Sequence, residues 1–215
     1  IGPRGRIRVD VNGAWDLTTA TTILPLIDKA AGGLEYAEQP CPGVDDLAAL
    51  RRAVDVPIAA DESIRLSADP LAVARSDAAD VAVLKVAPLG GARRAFALAE
   101  RLAMPVVVSS ALDTSVGMSA GVALAAALPG PAGACGLGTV SLLERDVAAP
   151  SLVPGGGTLA VRPVHVSRRL LAAVVADDEL TARWQVRLGH ILNALRTRRE
   201  RERDDPSSAV AGLPL

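Results

Sequence analysis

Three acidic residues recur at wide, similar intervals in the first third of the chain: Asp10 in IRVDVN, Glu38 in LEYAEQP and Asp61 in PIAADES. Each stands near the end of a short apolar, β-branched run of the kind that forms a buried strand. If the runs are neighbouring parallel strands, the carboxylates lie at their C-terminal ends on lines about 4.8 Å apart. Carboxylates crowded in this way repel one another unless a cation separates them. A hard divalent ion such as Mg²⁺, with Mn²⁺ as the alternative, takes an oxygen shell of this type. Taken singly, each acid also reads as a helix N-cap or a surface charge; the three together point to a metal. Period-two alternation turns Glu62 to the opposite side of its strand and makes it the weaker ligand, whereas Asn12 shares the face of Asp10 and is placed to orient a ligand or contact substrate.

Of 23 lysine and arginine residues only Lys29 and Lys85 are lysine. Lys85 stands in DVAVLKVAP, a fourth strand candidate, among apolar neighbours. Burying an ammonium disfavours its charged form unless it is paired or used, so Lys85 reads as a functional cation. The competing reading is an ion pair with Asp80 or another acid.

The elements that must position these groups follow from the periodicity. Six short runs, at 7–12, 34–40, 57–63, 80–88, 105–112 and 134–139, alternate with helix candidates at Asp16 onward, Asp45–Val54, Asp69–Ser76, Ala92–Ala103 and Ser115–Leu128. Repeated βα units with polar residues at the strand ends, and no GxGxxG opening a helix, favour a (β/α) TIM-type barrel over an open doubly wound sheet. Such a barrel has eight strands and typically about 250 residues, so residues 1–139 are expected to form a partial barrel, strands three to eight. The non-Met start at Ile1 fits the loss of upstream residues. A half-open barrel exposes strand edges and invites self-association. Residues 140–195, Pro- and Gly-rich and then helical from about Glu179, are expected to pack on the barrel. The charged stretch 196–215 reads as a frayed or disordered tail.

Half of the residues are hydrophobic and the formal net charge is −1, which favours a small-molecule partner over nucleic acid or a membrane surface. Cys41 and Cys135 lie outside any CxxC spacing, against a zinc site or disulfide scaffold and in keeping with a reducing cytoplasm. No signal peptide and no apolar run near 18 residues is visible.

RVDVNGAW (8–15), EQP (38–40), ADES (60–63), LKV (84–86) and VVSSALDTSVG (107–117) together resemble the barrel of the enolase superfamily, in wording closest to o-succinylbenzoate synthases of actinobacterial type. The resemblance runs from residue 3 to about 195. It implies that Asp10, Glu38 and Asp61 are the Mg²⁺ ligands and that Lys85 lies across the site from the base. It also implies a reaction in which a metal-bound carboxylate loses its α-proton and then a β-hydroxyl, in menaquinone biosynthesis. By the same resemblance Ser109, Ser110 and backbone amides around Gly90 receive the succinyl carboxylate, and Cys135, Gly136 and Leu137 line the site; the serines also read as caps of the next helix, and Cys135 as core packing. His165 and His190 read as structural.

The sequence departs from the family at the base, a lysine in a KxK motif on the second barrel strand. No KxK is present, and Arg4, Arg6 and Arg8 stay protonated and cannot replace it. The family's N-terminal capping domain is also missing, and the chain by itself is expected to be inactive. The alternatives are an N-acylamino acid racemase or dipeptide epimerase of the same superfamily, and a non-catalytic metal-binding fragment. The sequence leaves the oligomeric state open.

Overall fold

The computed structural model describes residue 2 and residues 5–130 and 133–204. Arg4 and residues 205–215 of the expected tail lie outside the described residues. Five strands, β1 (Ile7–Asp10), β2 (Leu34–Glu38), β3 (Ile58–Ala60), β4 (Val81–Lys85) and β5 (Val106–Ser109), pair in parallel and in sequence order. The helices are α1 (Leu17–Ala31), α2 (Val44–Ala53), α3 (Glu62–Arg65), α4 (Ala72–Arg75), α5 (Ala92–Leu102), α6 (Ser115–Ala127), α7 (Arg168–Ala172) and α8 (Asp178–Asp204). The arrangement is an incomplete (β/α) barrel.

Strand alternation divides the core. Ala37, Ile58, Ala60, Ala82, Leu84, Val106 and Val108 pack with the helices in the main cluster, while Tyr36, Ala59, Val83 and Val107 form a separate cluster on the other face of the sheet. Ile58 and Leu84 are fully buried, and each contributes about 1.5–3 kcal/mol by leaving water. Capping residues bound α1. Asp16 caps α1 by accepting from the Thr19 amide at 2.7 Å, and Gly32, at φ 73°, ends it in the left-handed conformation that spares a glycine the Cβ clash. On α5 the buried residues Ala95, Leu98, Ala99 and Leu102 form one stripe.

Four expectations are corrected. The sixth run, ACGLGT, is no strand: it contributes a parallel bridge between Gly136 and Ser109. Gly136 lies so close to the Ser109 side chain that a Cβ on it would stand 2.8 Å from Ser109 Oγ. The third run breaks after Ala60, because Asp61 opens α3, so strand alternation does not reach Glu62. Nor does it reach Asn12, which adopts φ 50° in the turn after β1. The last helix continues into the charged stretch expected to fray, as far as Asp204.

The start of α6 holds the later segment through Ser115. Fully buried Ser115 donates its hydroxyl to Asp146, accepts from the Leu152 amide at 2.6 Å, and offers its own amide to Asp146 at 3.1 Å.

Candidate metal and lysine site

The ends of β1 and β2 bring two of the acids side by side, with Asp10 the register partner of Glu38. Glu38 pairs in turn with Ala59, and Asp61 follows two residues later, at the end of β3. Lys85 closes β4 and is the register partner of Ser109 on β5. The sheet therefore delivers Asp10, Glu38, Asp61, Lys85 and Ser109 from five consecutive strand ends.

Asp61 is the best held of these. It is fully buried, its Oδ2 accepts from Lys85 Nζ at 2.5 Å, and its Oδ1 accepts from Arg65 Nε at 2.9 Å. Asp80, the other acid considered for Lys85, is occupied by Arg51 and by the Ile58 amide. Asp10 is exposed and accepts from the Asn12 amide at 2.9 Å; Asn12 thus orients Asp10 through its backbone.

Burial pushes the Glu38 carboxyl up to about 7, with repulsion from Asp10 and Asp61 adding to it and Lys85 opposing it. Glu62 adds the least to the same repulsion, and its carboxylate pairs with Arg65. A carboxyl crowded in this way lacks positive charge, and the oxygen donors around it suit a hard divalent cation such as Mg²⁺ or Mn²⁺. As the side chains stand, no three His, Cys, Asp or Glu residues among the described residues converge to hold an ion. Asp61 meanwhile turns both oxygens toward cations of the chain.

Two residues that hold the site were not singled out by the sequence reading. Gln39, fully buried at φ 39°, accepts from the amides of Asp61 and Ser63 and donates to Cys41 O and Ser63 Oγ, so its amide group fixes the end of β2 to the start of α3. Arg65 reaches back one helical turn to Asp61 and also contacts Glu62 at 2.5 Å. The signal for Gln39 was its place in EQP between an acid and a proline; Arg65 carried none.

The expected substrate-binding residues are placed less uniformly. Ser109 stands beside Lys85. Ser110 is buried, donates to Gly136 O at 3.0 Å and accepts from Thr139 at 2.9 Å, so it fastens the last segment to β5, while Thr114 takes the N-cap position of α6. The Gly90 amide donates to Ala87 O in a turn. Leu137 belongs to the main core beside Gly121, where a Cβ would lie 2.8 Å from its Cδ2, so its side chain faces the helices and not the site. Cys135 packs beside the same core. Below the site, Arg8 bridges from β1 to Glu35 at 2.8 Å and to Ala134 O at 2.6 Å.

The sequence model described as "Enolase C-terminal domain-like" matches residues 1–164. The chain belongs to this family. A protein of Thermobifida fusca named o-succinylbenzoate synthase is 58% identical over 188 residues, covering 87% of this chain and 58% of its own length. Muconate lactonizing enzyme from Pseudomonas fluorescens superposes with a TM-score of 0.71 at 29% identity, over 80% of this chain and 48% of its own. The L-Ala-D/L-Glu epimerase of Bacillus subtilis does so with 0.65 at 26%, over 77% and 47%. The chain thus spans little more than half the length of the curated relatives it matches. Among the described residues no helix is long and apolar enough to cross a membrane.

Proposed function

We propose that the chain is the metal-binding barrel portion of an o-succinylbenzoate synthase, a carbon–oxygen lyase of the cytoplasm. It would dehydrate 2-succinyl-6-hydroxy-2,4-cyclohexadiene-1-carboxylate to 2-succinylbenzoate in menaquinone biosynthesis. The observation that carries this reading is the delivery of Asp10, Glu38, Asp61 and Lys85 from successive strand ends, in a chain whose curated relatives bear that name.

Asp10, Glu38 and Asp61 would hold Mg²⁺, or Mn²⁺ in its place. When bound, the ion supplies the positive charge that acidifies the α-proton of a carboxylate substrate. Lys85 offers an ammonium to the charge that develops on the substrate, and Ser109 beside it offers a hydroxyl to the succinyl carboxylate. Of the chain's two lysines, Lys29 lies on α1, so Lys85 is the lysine these residues place at the site. A base on the other face of the substrate must come from elsewhere, and the 215-residue chain assayed by itself should not turn over.

The rise of aromatic absorbance on adding the cyclohexadiene substrate tests the reaction. Turnover in full-length protein supports it, and its loss by at least about a hundredfold in Lys85→Ala, roughly 2.7 kcal/mol of barrier, supports the assignment of Lys85. Turnover by the 215-residue chain alone would make Lys85 the base. The structural likeness to a dipeptide epimerase favours a second reading, racemisation at the same site; exchange of the α-proton of an N-acylamino acid or dipeptide without loss of water would identify it. Metal binding with neither reaction would leave a non-catalytic module.

A further inference from the structure

Asp61 is closed to a metal ion as it stands. Its side chain is fully buried, with Lys85 against Oδ2 and Arg65 against Oδ1, so an ion approaching either oxygen has to move one of these two side chains aside. The two cations are not held equally. Arg65 sits one turn along α3 from Asp61, its backbone amide donates to the Asp61 carbonyl at 2.9 Å, and its guanidinium is pinned a second time by Glu62. Losing Arg65 from the carboxylate would break a planar fork held at both ends. Lys85 makes one side-chain hydrogen bond among the described residues, to Asp61, and its ammonium ends a flexible four-carbon stem that is 15% exposed.

Resting on the metal site argued above, we propose that Lys85 is the resident counter-ion of Asp61 in the metal-free protein and that a divalent cation displaces it. Metal loading and release of the Lys85 ammonium toward the substrate are then one event. Arg65 remains on Asp61 throughout and aims its free oxygen into the site. Lys85 is therefore held away from the substrate until the ion that binds the substrate carboxylate is in place, and its charge competes with that ion for one oxygen atom.

The decisive measurement is a calorimetric titration of the full-length protein with Mn²⁺. Lys85→Met should bind Mn²⁺ at least tenfold more tightly than wild type, because the competing ammonium is gone, and Lys85→Arg should bind no more tightly than wild type. Equal or weaker binding by Lys85→Met overturns the displacement, since the lysine would then orient Asp61 for the ion rather than compete with it. Failure of wild type and Lys85→Met alike to bind Mn²⁺ overturns the metal site itself, and the displacement with it. A second readout needs no variant: trace reductive methylation of wild-type protein, quantified peptide by peptide by mass spectrometry. Mn²⁺ should raise modification of Lys85 at least fivefold while exposed Lys29 stays constant. An unchanged or lower yield at Lys85 overturns the proposal.

Discussion

At the scale of single residues, the site sets one crowded carboxyl beside one well-satisfied amide. Glu38 is held near a pKa of about 7 by burial and by its acidic neighbours, so it gains most from a cation. Glu38→Gln should weaken divalent binding tenfold or more, about 1.4 kcal/mol, in a calorimetric titration; unchanged affinity would remove it from the ligand set. Gln39 carries no charge, yet it satisfies four polar groups around Asp61 and Ser63. Gln39→Leu would leave those groups unpaired in the interior, at about 1–3 kcal/mol for each that finds no water. It should lower the midpoint of urea unfolding and weaken metal binding together. A stable variant with intact affinity would show that α3 holds Asp61 without it.

At the scale of elements, the lock between α6 and the segment after it makes stability depend on pH. Burial would raise the Asp146 carboxyl, but hydrogen bonds from Ser115 and Ser151 and from the Ser115 and Val147 amides outweigh it and hold the group below its ordinary value. A carboxyl depressed by folding adds stability above its unfolded pKa, about 3.9, and that stability is lost as pH falls through the lower folded value. The stability gap between wild type and Asp146→Asn should be full at neutral pH and shrink below about pH 4, read by thermal unfolding across that range. A gap independent of pH would mean that the asparagine loses packing rather than charge.

At the scale of the whole molecule, the proposed ion would stabilise every element that reaches the site. A ligand at a hundred times its Kd adds about 2.7 kcal/mol to the native state, which for a chain of this size corresponds to roughly 5–11 °C in Tm. Stripping divalent ions with a chelator should lower Tm by that amount, and adding back Mg²⁺ or Mn²⁺ should restore it. A chelator without effect would argue that the barrel, and not the ion, sets the positions of the three acids.

Much of this was legible in the sequence because it rests on local rules. Period-two runs placed β1 to β5 and the acids at their ends, capping residues placed α1, and an isolated lysine among apolar residues marked Lys85. The sequence could not say where a strand stops being a strand. Asp61 and Glu62 continue the third run as letters, but α3 starts there, and that turn brings Arg65 back onto Asp61. The sixth run differs as well: Gly136, close against Ser109, makes a single bridge. Ion-pair choice was also beyond the sequence: Asp80 or another acid could have met Lys85, and the folded chain gives Asp80 to Arg51 and Asp61 to Lys85. Periodicity fixes which face a residue shares; which of several charges it meets depends on distances between elements far apart in the chain, and those exist only once the sheet is assembled.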